Sequence, residues 1–193
     1  MQVIFVRHGE SENNVLNRGS YKLFSGQMDC PLTELGHRQA EALRGNEIFR
    51  DAEVFFVSDL RRARETASYF ADPEKTVYDA RLRERSLGEF QGKTVGEVQA
   101  DPRYEKYFTD PEWMRFRHSF TVKAPGGENY TDLCDRVRPF CEELRKGGHE
   151  KAVIVAHFCV IRCLMKELRG LSEEETLRLM IPNCVPVSID IGI

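Results

Sequence analysis

The fold of this 193-residue chain is indicated most clearly by the stretch Val3-Ile4-Phe5-Val6-Arg7-His8-Gly9-Glu10. Its first four residues are a short apolar run, typical of a strand buried in a parallel sheet. The run leads directly into a histidine beside a permanent cation, and open α/β sheets bind ligands at the carboxyl ends of their strands. An imidazole can act as a nucleophile or base, and a guanidinium matches the oxygens of a phosphate. The stretch therefore predicts an α/β sheet and chemistry on a phosphate.

Composition narrows the class of protein. A chain of 193 residues with 41% apolar residues and a formal charge of -3 predicts one soluble domain with a substantial core. It lacks the basic excess of a nucleic-acid binder, and no apolar run approaches the roughly 18 residues that span a membrane. We therefore expect no nucleic-acid or membrane partner. With no apparent leader sequence, a cytoplasmic location is expected.

The six cysteines show no Cys-x-x-Cys spacing, so we interpret them as reduced core thiols. Cys159 and Cys163 share a helix face near His157. Packing is favoured over a metal pair, because no further soft ligands accompany them.

Alternating strands and helices predict a three-layer α/β/α sandwich with a mostly parallel central sheet. The candidate strands are 2–6, 54–57, 76–78, 151–156 and 185–191. The candidate helices are 34–43, 61–70, 129–146 and one that follows His157 as far as Gly170. We expect residues 1–193 to form a single domain.

The segment at about 93–127 does not alternate in this way and is rich in charge, aromatic residues and prolines. We interpret it as a lid-like insertion over the sheet, where substrate selectivity would reside. A helical satellite core is the alternative.

Three further segments add polar groups near strand ends. Strand 54–57 leads into a helix start that carries Arg61, Arg62 and Arg64, and strand 151–156 leads into His157. If strands 2–6 and 151–156 are neighbours, His8 and His157 emerge side by side. The run Arg83-Glu84-Arg85 supplies an acid flanked by cations.

Together these segments resemble the histidine phosphatase superfamily, the phosphoglycerate mutase-like proteins. The resemblance covers nearly the whole chain and rests on six ordered matches. They are Arg7-His8-Gly9-Glu10, Ser25 to Gly36, Ser58 to Thr66, Leu82 to Gly92, Pro125-Gly126-Gly127-Glu128, and Val155-Ala156-His157 with Val160-Ile161-Arg162 beyond.

The resemblance implies specific roles. His8 would attack the phosphoryl group to form a phosphohistidine, and Glu84 would protonate the leaving alcohol; Glu89 is the competing acid. Phosphate or substrate would be held by Arg7, Asn14, Ser25, Gly26, Arg62, His157 and Phe158. No metal or other cofactor is implied. Nearby Arg7 and Arg62 should lower the pKa of His8 and keep it neutral for attack.

Two features depart from the family pattern. The loop from Asn14 to Gly26 is longer than in typical small phosphatases of the family, and Phe158 stands where the family commonly has glycine. We expect its ring to narrow the pocket or to stack on the substrate. Among the remaining histidines, His118 could touch the substrate from the insertion.

Three functions fit the resemblance. The interval between Glu84 and His157 is short, which favours the compact phosphatase branch, such as the alpha-ribazole and broad-specificity phosphatases. A metal-independent phosphomonoesterase acting on a phosphorylated small molecule is therefore favoured. A cofactor-dependent phosphoglycerate mutase and a non-catalytic phospholigand-binding regulatory protein are the alternatives. An exposed apolar helix or strand edge would allow two copies to pair as a homodimer.

Overall fold

A computed structural model describes residues 1–18 and 22–192. Its centre is a five-stranded sheet of order β3-β2-β4-β1-β5, in which only β5 is antiparallel to its neighbour. The strands are β1 (Gln2–Arg7), β2 (Val54–Val57), β3 (Thr76–Tyr78), β4 (Lys151–Ala156) and β5 (Val187–Asp190). Helices flank the sheet, which confirms the predicted α/β architecture.

Alternate residues of the central strands supply two separate cores. Val3 and Phe5 of β1 belong to one buried apolar cluster, whereas Ile4 and Val6 belong to another. The first cluster continues into the helices α6 (Tyr130–Lys146) and α7 (Phe158–Arg169), and the second into α3 (Arg61–Ala67). Because side chains alternate across a strand, both faces of the sheet are covered.

The remaining helices are short. They are α1 (Glu12–Leu16), α2 (Glu34–Glu41), α4 (Val95–Ala100), α5 (Lys106–Thr109) and α8 (Glu173–Arg178).

Several element boundaries differ from the prediction by a few residues. The helix predicted at 61–70 ends at Ala67. The helix predicted at 129–146 begins one residue later, because Asn129 is its N-cap and accepts from the Asp132 amide. The last strand is shorter than 185–191, and Val185 is exposed.

The segment 93–127 is a helical satellite with its own core. It holds α4, α5 and 3-10 turns at Pro102–Tyr104 and Trp113–His118. Phe90 is fully buried at the centre of its apolar cluster, with the rings of Tyr104 and Tyr107 edge-on at 4.9 and 4.8 Å between centroids. Part of this segment therefore packs around an apolar core of its own, and its role as a lid over the site stays a prediction.

The described residues contain neither a candidate membrane-spanning helix nor a candidate metal cluster. None of their helices combines the length and apolar character needed to cross a membrane. In the same ranges, no group of three or more histidine, cysteine, aspartate or glutamate side chains is placed to hold a metal ion. All six cysteines are free, and all but Cys159 are buried.

Candidate active site

The two predicted histidines meet at the carboxyl edge of the sheet. Arg7 lies opposite Ala156 in the parallel register of β1 and β4, so His8 and His157 follow neighbouring strand ends. Their ring centroids are 5.0 Å apart. His8 lies in the wall of a cavity of about 260 Å³. The same cavity is lined by Arg7, Ser11, Asn13, Asn14, Asn17, Leu23, Phe24, Ser25, Gly26, Arg62, Glu84, Arg85, Leu87, Arg117, His118, Phe158 and Cys159.

The hydrogen bonds of His8 fix its tautomer. Its Nδ1 lies 2.7 Å from the Gly9 carbonyl oxygen. A carbonyl can only accept, so Nδ1 carries the proton and Nε2 keeps a lone pair. The described residues provide no hydrogen-bond partner for Nε2. A neutral imidazole with Nε2 available is the form that can attack phosphorus.

Burial is the main cause that keeps both histidines neutral. It lowers the pKa of His8 well below its usual range, and the guanidiniums of Arg62 and Arg7 lower it further. The pKa of His157 is lowered in the same way, by burial first and then by Arg62, His8 and Arg7. The predicted direction for His8 is confirmed, although burial outranks the neighbouring cations.

His157 contacts protein groups through both ring nitrogens. Its Nδ1 accepts from Arg62 Nε at 3.2 Å, and its Nε2 lies 2.8 Å from Ser58 Oγ. Because Nδ1 accepts, the proton is on Nε2, which donates to the hydroxyl. His157 is completely buried and is absent from the cavity wall. In this arrangement Arg62 and Ser58 occupy both of its ring nitrogens.

Arg62 is the arginine of α3 that turns inward. It is 4% exposed, and its guanidinium donates to the carbonyls of Met28 at 2.7 Å and Gly26 at 3.2 Å. Exposed Arg61 pairs with half-buried Glu65 instead, and Arg64 lies over the ring of Tyr78. The guanidinium is therefore fixed at the cavity by the 26–28 loop and His157.

A backbone carbonyl and an aromatic ring hold the Arg7 guanidinium. Its Nη1 donates to the Ile181 carbonyl at 2.9 Å, and its Cζ is 5.1 Å from the centroid of the Phe158 ring. Arg162 lies on the same ring at 4.1 Å. The Phe158 ring therefore lies in the cavity wall and contacts the guanidiniums of Arg7 and Arg162.

Unpartnered polar atoms are concentrated at this cavity. Among the described residues, the buried side-chain nitrogens and oxygens without a hydrogen-bond partner are Arg7 Nε, Ser11 Oγ, Asn13 Nδ2 and Arg85 Nε. All four belong to residues of the cavity wall. Buried polar groups are normally paired, so an unpaired set at one place indicates a site that a polar ligand completes.

Glu84 lies in the cavity wall, and backbone amides hold its carboxylate. Oε1 accepts from the Arg85 amide at 2.8 Å, and Oε2 accepts from the Cys159 amide at 3.4 Å. Glu89 is absent from the wall, and its carboxylate accepts from the Tyr104 hydroxyl. The position of the cavity therefore favours Glu84 over Glu89 as the acid.

The remaining predicted residues line the same wall. Asn14 Oδ1 accepts from the Ser11 amide, the Ser25 hydroxyl accepts from Asn17 Nδ2, and the Gly26 carbonyl binds Arg62. The sequence interpretation missed Asn13 and Asn17. These two residues are four positions apart, in α1 and at its C-terminal end, a spacing that places side chains on one face of a helix. That spacing is the sequence signal that could have identified them.

Arg117 of the insertion and Arg85 beside it place two guanidiniums in the cavity wall. Burial and then Arg85 lower the pKa of Arg117, and burial lowers the pKa of His118, followed by Arg162, Arg85 and Arg117. Such mutual repulsion between cations is relieved by an anion. This wall suits a ligand with negative charge.

Comparison with known proteins agrees with this geometry. The chain is 30% identical to a 2,3-bisphosphoglycerate-dependent phosphoglycerate mutase of Bifidobacterium longum, covering 96% of this chain and 84% of that protein. The structure of a mycobacterial glucosyl-3-phosphoglycerate phosphatase superposes with a TM-score of 0.78 at 30% identity, covering 97% of this chain and 88% of that one. An alpha-ribazole phosphatase from Shigella flexneri, at 22% identity, shares the fold with a TM-score of 0.81, covering 100% of this chain and 91% of that one.

The model of one protein family matches residues 3–192, almost the whole chain. The chain belongs to branch 1 of the histidine phosphatase superfamily.

Proposed function

We propose that this chain is a phosphomonoesterase that hydrolyses a phosphorylated small molecule through a phosphohistidine on His8. The observation that carries the proposal is the state of that imidazole. It is neutral, its proton is held on Nδ1 by the Gly9 carbonyl, and it shares one cavity with Arg7, Arg62 and Glu84.

The proposed reaction has two steps. In the first, the lone pair of His8 Nε2 forms a bond to phosphorus while the bond to the leaving oxygen breaks and its electron pair stays on that oxygen. Glu84 donates a proton to the leaving oxygen, so an alcohol departs. In the second, Glu84 takes a proton from water as the water attacks phosphorus, and the P–N bond breaks to return neutral His8 and release phosphate.

Fixed cations stabilise the charge that spreads over the phosphoryl oxygens. Arg7 and Arg62 supply them, and both are held by backbone carbonyls before a ligand arrives. Such preorganisation avoids the cost of rearranging dipoles during the reaction. His157 supports the step by accepting from Arg62 Nε.

The substrate class follows from the insertion wall. Arg85, Arg117 and His118 lie in the cavity wall beyond Arg7 and Arg62. We propose that the leaving group is small and polar and carries a further negative charge. The names of the relatives, a phosphoglycerate mutase and a glucosyl-3-phosphoglycerate phosphatase, support a phosphorylated organic acid.

A phosphoglycerate mutase is the second candidate. It uses the same phosphohistidine but returns the phosphoryl group to a bound hydroxyl instead of water. The cationic insertion wall favours it, because a mutase must retain a phosphorylated acid between its two transfers.

The test is an assay of the purified protein on para-nitrophenyl phosphate and a panel of phosphorylated acids, with and without a metal chelator. We expect phosphate release that survives the chelator and is lost in His8→Ala. His37→Ala is the matched control, because His37 lies outside the cavity and bonds to Tyr69. Isomerisation of phosphoglycerate without release would establish the mutase. Phosphate binding without turnover would leave only a binding protein.

A further inference from the structure

The segment that carries Glu84 has no regular structure of its own. Residues 84–87 lie in no helix, strand or turn. The Glu84 carboxylate is held only by the amides of Arg85 and Cys159 among the described residues. Its position relative to the phosphate site therefore depends on how the loop backbone is anchored.

One anchor is Arg136, from the middle of α6. Its guanidinium donates to three backbone carbonyls at and just before Glu84, those of Arg81 at 2.5 Å, Arg83 at 2.9 Å and Glu84 at 3.2 Å. Gln27 Nε2 also donates to the Glu84 carbonyl, at 2.9 Å. The helix that carries it runs over 17 residues and packs on the core through Leu133 and Val137. The loop is thus tied to a helix whose apolar face is buried in the core.

Glu128 completes the anchor. Its carboxylate accepts from Arg136 Nε at 2.7 Å and Nη2 at 3.0 Å, and it also accepts from the Ser86 amide at 2.8 Å. The side chains of the pair are only 20% and 18% exposed. A paired guanidinium in that setting keeps a single orientation, because moving it would leave buried carbonyls and a carboxylate unpaired.

We infer that Arg136, ion-paired with Glu128, is a positioning residue that sets the Glu84 carboxyl at the correct distance from the leaving oxygen. The inference rests on the proposed function, in which Glu84 is the general acid. Arg136 itself is absent from the cavity wall and touches no reacting atom. Substitution of Arg136 should therefore lower only those reaction rates that depend on proton donation by Glu84.

The test compares leaving groups. Para-nitrophenolate departs without a proton, whereas an alkoxide needs one, so kcat/KM for an alkyl phosphate depends on the acid and kcat/KM for para-nitrophenyl phosphate does not. We expect Arg136→Met to lose about 100-fold on the alkyl phosphate, the typical cost of misplacing a group by about 1 Å. The loss on para-nitrophenyl phosphate should stay below about 5-fold. Arg136→Lys should recover part of the alkyl phosphate activity.

A matched control lies on the same helix. Arg145 also donates to backbone carbonyls, those of Glu167 and Leu168, at a place away from the cavity. Arg145→Met should leave the ratio of the two kcat/KM values unchanged. If Arg136→Met fails to fold, Glu128→Gln provides the second variant, and it should show a smaller loss with the same selectivity.

Glu84→Gln distinguishes a failure of the proposed acid role of Glu84 from a failure of the inferred positioning role of Arg136. It should lose about 10²- to 10⁴-fold selectively on the alkyl phosphate. If it shows no selectivity, the assignment of Glu84 as acid fails, and the inference fails with it. If Glu84→Gln is selective but the Arg136 and Glu128 variants lose both activities equally, or neither, then Arg136 has no positioning role and only the inference is overturned.

Discussion

Ser58→Ala should disturb the site although Ser58 itself does not line the cavity. The Ser58 hydroxyl and the His157 ring are both completely buried. The hydroxyl accepts from His157 Nε2, while Nδ1 of the same ring accepts from Arg62. The change removes the only partner that the described residues offer to the Nε2–H group.

The expected cost follows from that geometry. If the ring keeps its tautomer, a buried N–H is left unpaired, which costs about 1 to 3 kcal/mol of the free energy of unfolding. If the proton moves to Nδ1, it faces the Arg62 Nε–H group. Two donors then oppose each other, and Arg62 loses its hydrogen bond to His157. Since about 1.4 kcal/mol corresponds to a factor of ten, kcat/KM should fall by about tenfold or more in the second case.

Two measurements check this prediction. Urea unfolding gives the change in stability, and ¹⁵N chemical shifts of the imidazole nitrogens give the tautomer of His157. Ser68→Ala is the matched control, because the Ser68 hydroxyl is exposed and bonds to the Glu65 carbonyl. An unfolding free energy within about 0.5 kcal/mol of the parent, together with unchanged kcat/KM, would refute the hydrogen-bond assignment.

Three further predictions test other parts of the site. His8 and His157 have lowered pKa values in the folded state, so the unfolded chain binds more protons than the folded chain below about pH 6.5. The free energy of unfolding should therefore fall as the pH is lowered, by about 1.4 kcal/mol per pH unit for each histidine. Urea titrations from pH 7 to 5 would show this slope, and His8→Gln should roughly halve it; a flat profile would contradict the burial argument. Gly88→Ala places a Cβ at φ +51°, 2.1 Å from a carbonyl oxygen, whereas the Cβ of Gly126→Ala, at φ +66°, meets open space. Backbone strain alone costs ~1 kcal/mol. Thermal unfolding should therefore show a loss of stability near that value for Gly126→Ala and a much larger loss for Gly88→Ala. Phe158→Leu removes the ring against Arg7, and inhibition by inorganic phosphate should weaken by about 2- to 30-fold; unchanged inhibition would mean that the ring does not orient Arg7.

Most of the sheet could be predicted because its strands are apolar runs with clear ends. Residues 2–6 and 151–156 are buried on both faces, and that pattern requires central, parallel neighbours. The same pairing explains why His8 and His157 could be placed together from sequence. Helix ends were less predictable, since the end of α3 at Ala67 depends on local contacts and not on a distinct stop residue.

Roles within the site were harder to predict than membership in it. The sequence placed His157 with the phosphate ligands, but nothing in a single sequence shows that Ser58 and Arg62 occupy its two nitrogens. Arg136 was not predicted at all. It lies on a helix face that reads as an ordinary amphipathic pattern, and its three carbonyl partners are more than 50 residues away in the chain.

The proposed phosphohistidine on His8 is tested most directly by rapid quenching of the protein during turnover of a ³²P-labelled substrate, followed by peptide mapping. We expect an acid-labile, base-stable phosphoryl group on His8, which is absent from His8→Ala and accumulates in Glu84→Gln when the leaving group is para-nitrophenolate. Turnover without any labelled protein, or label on a residue other than His8, would contradict it.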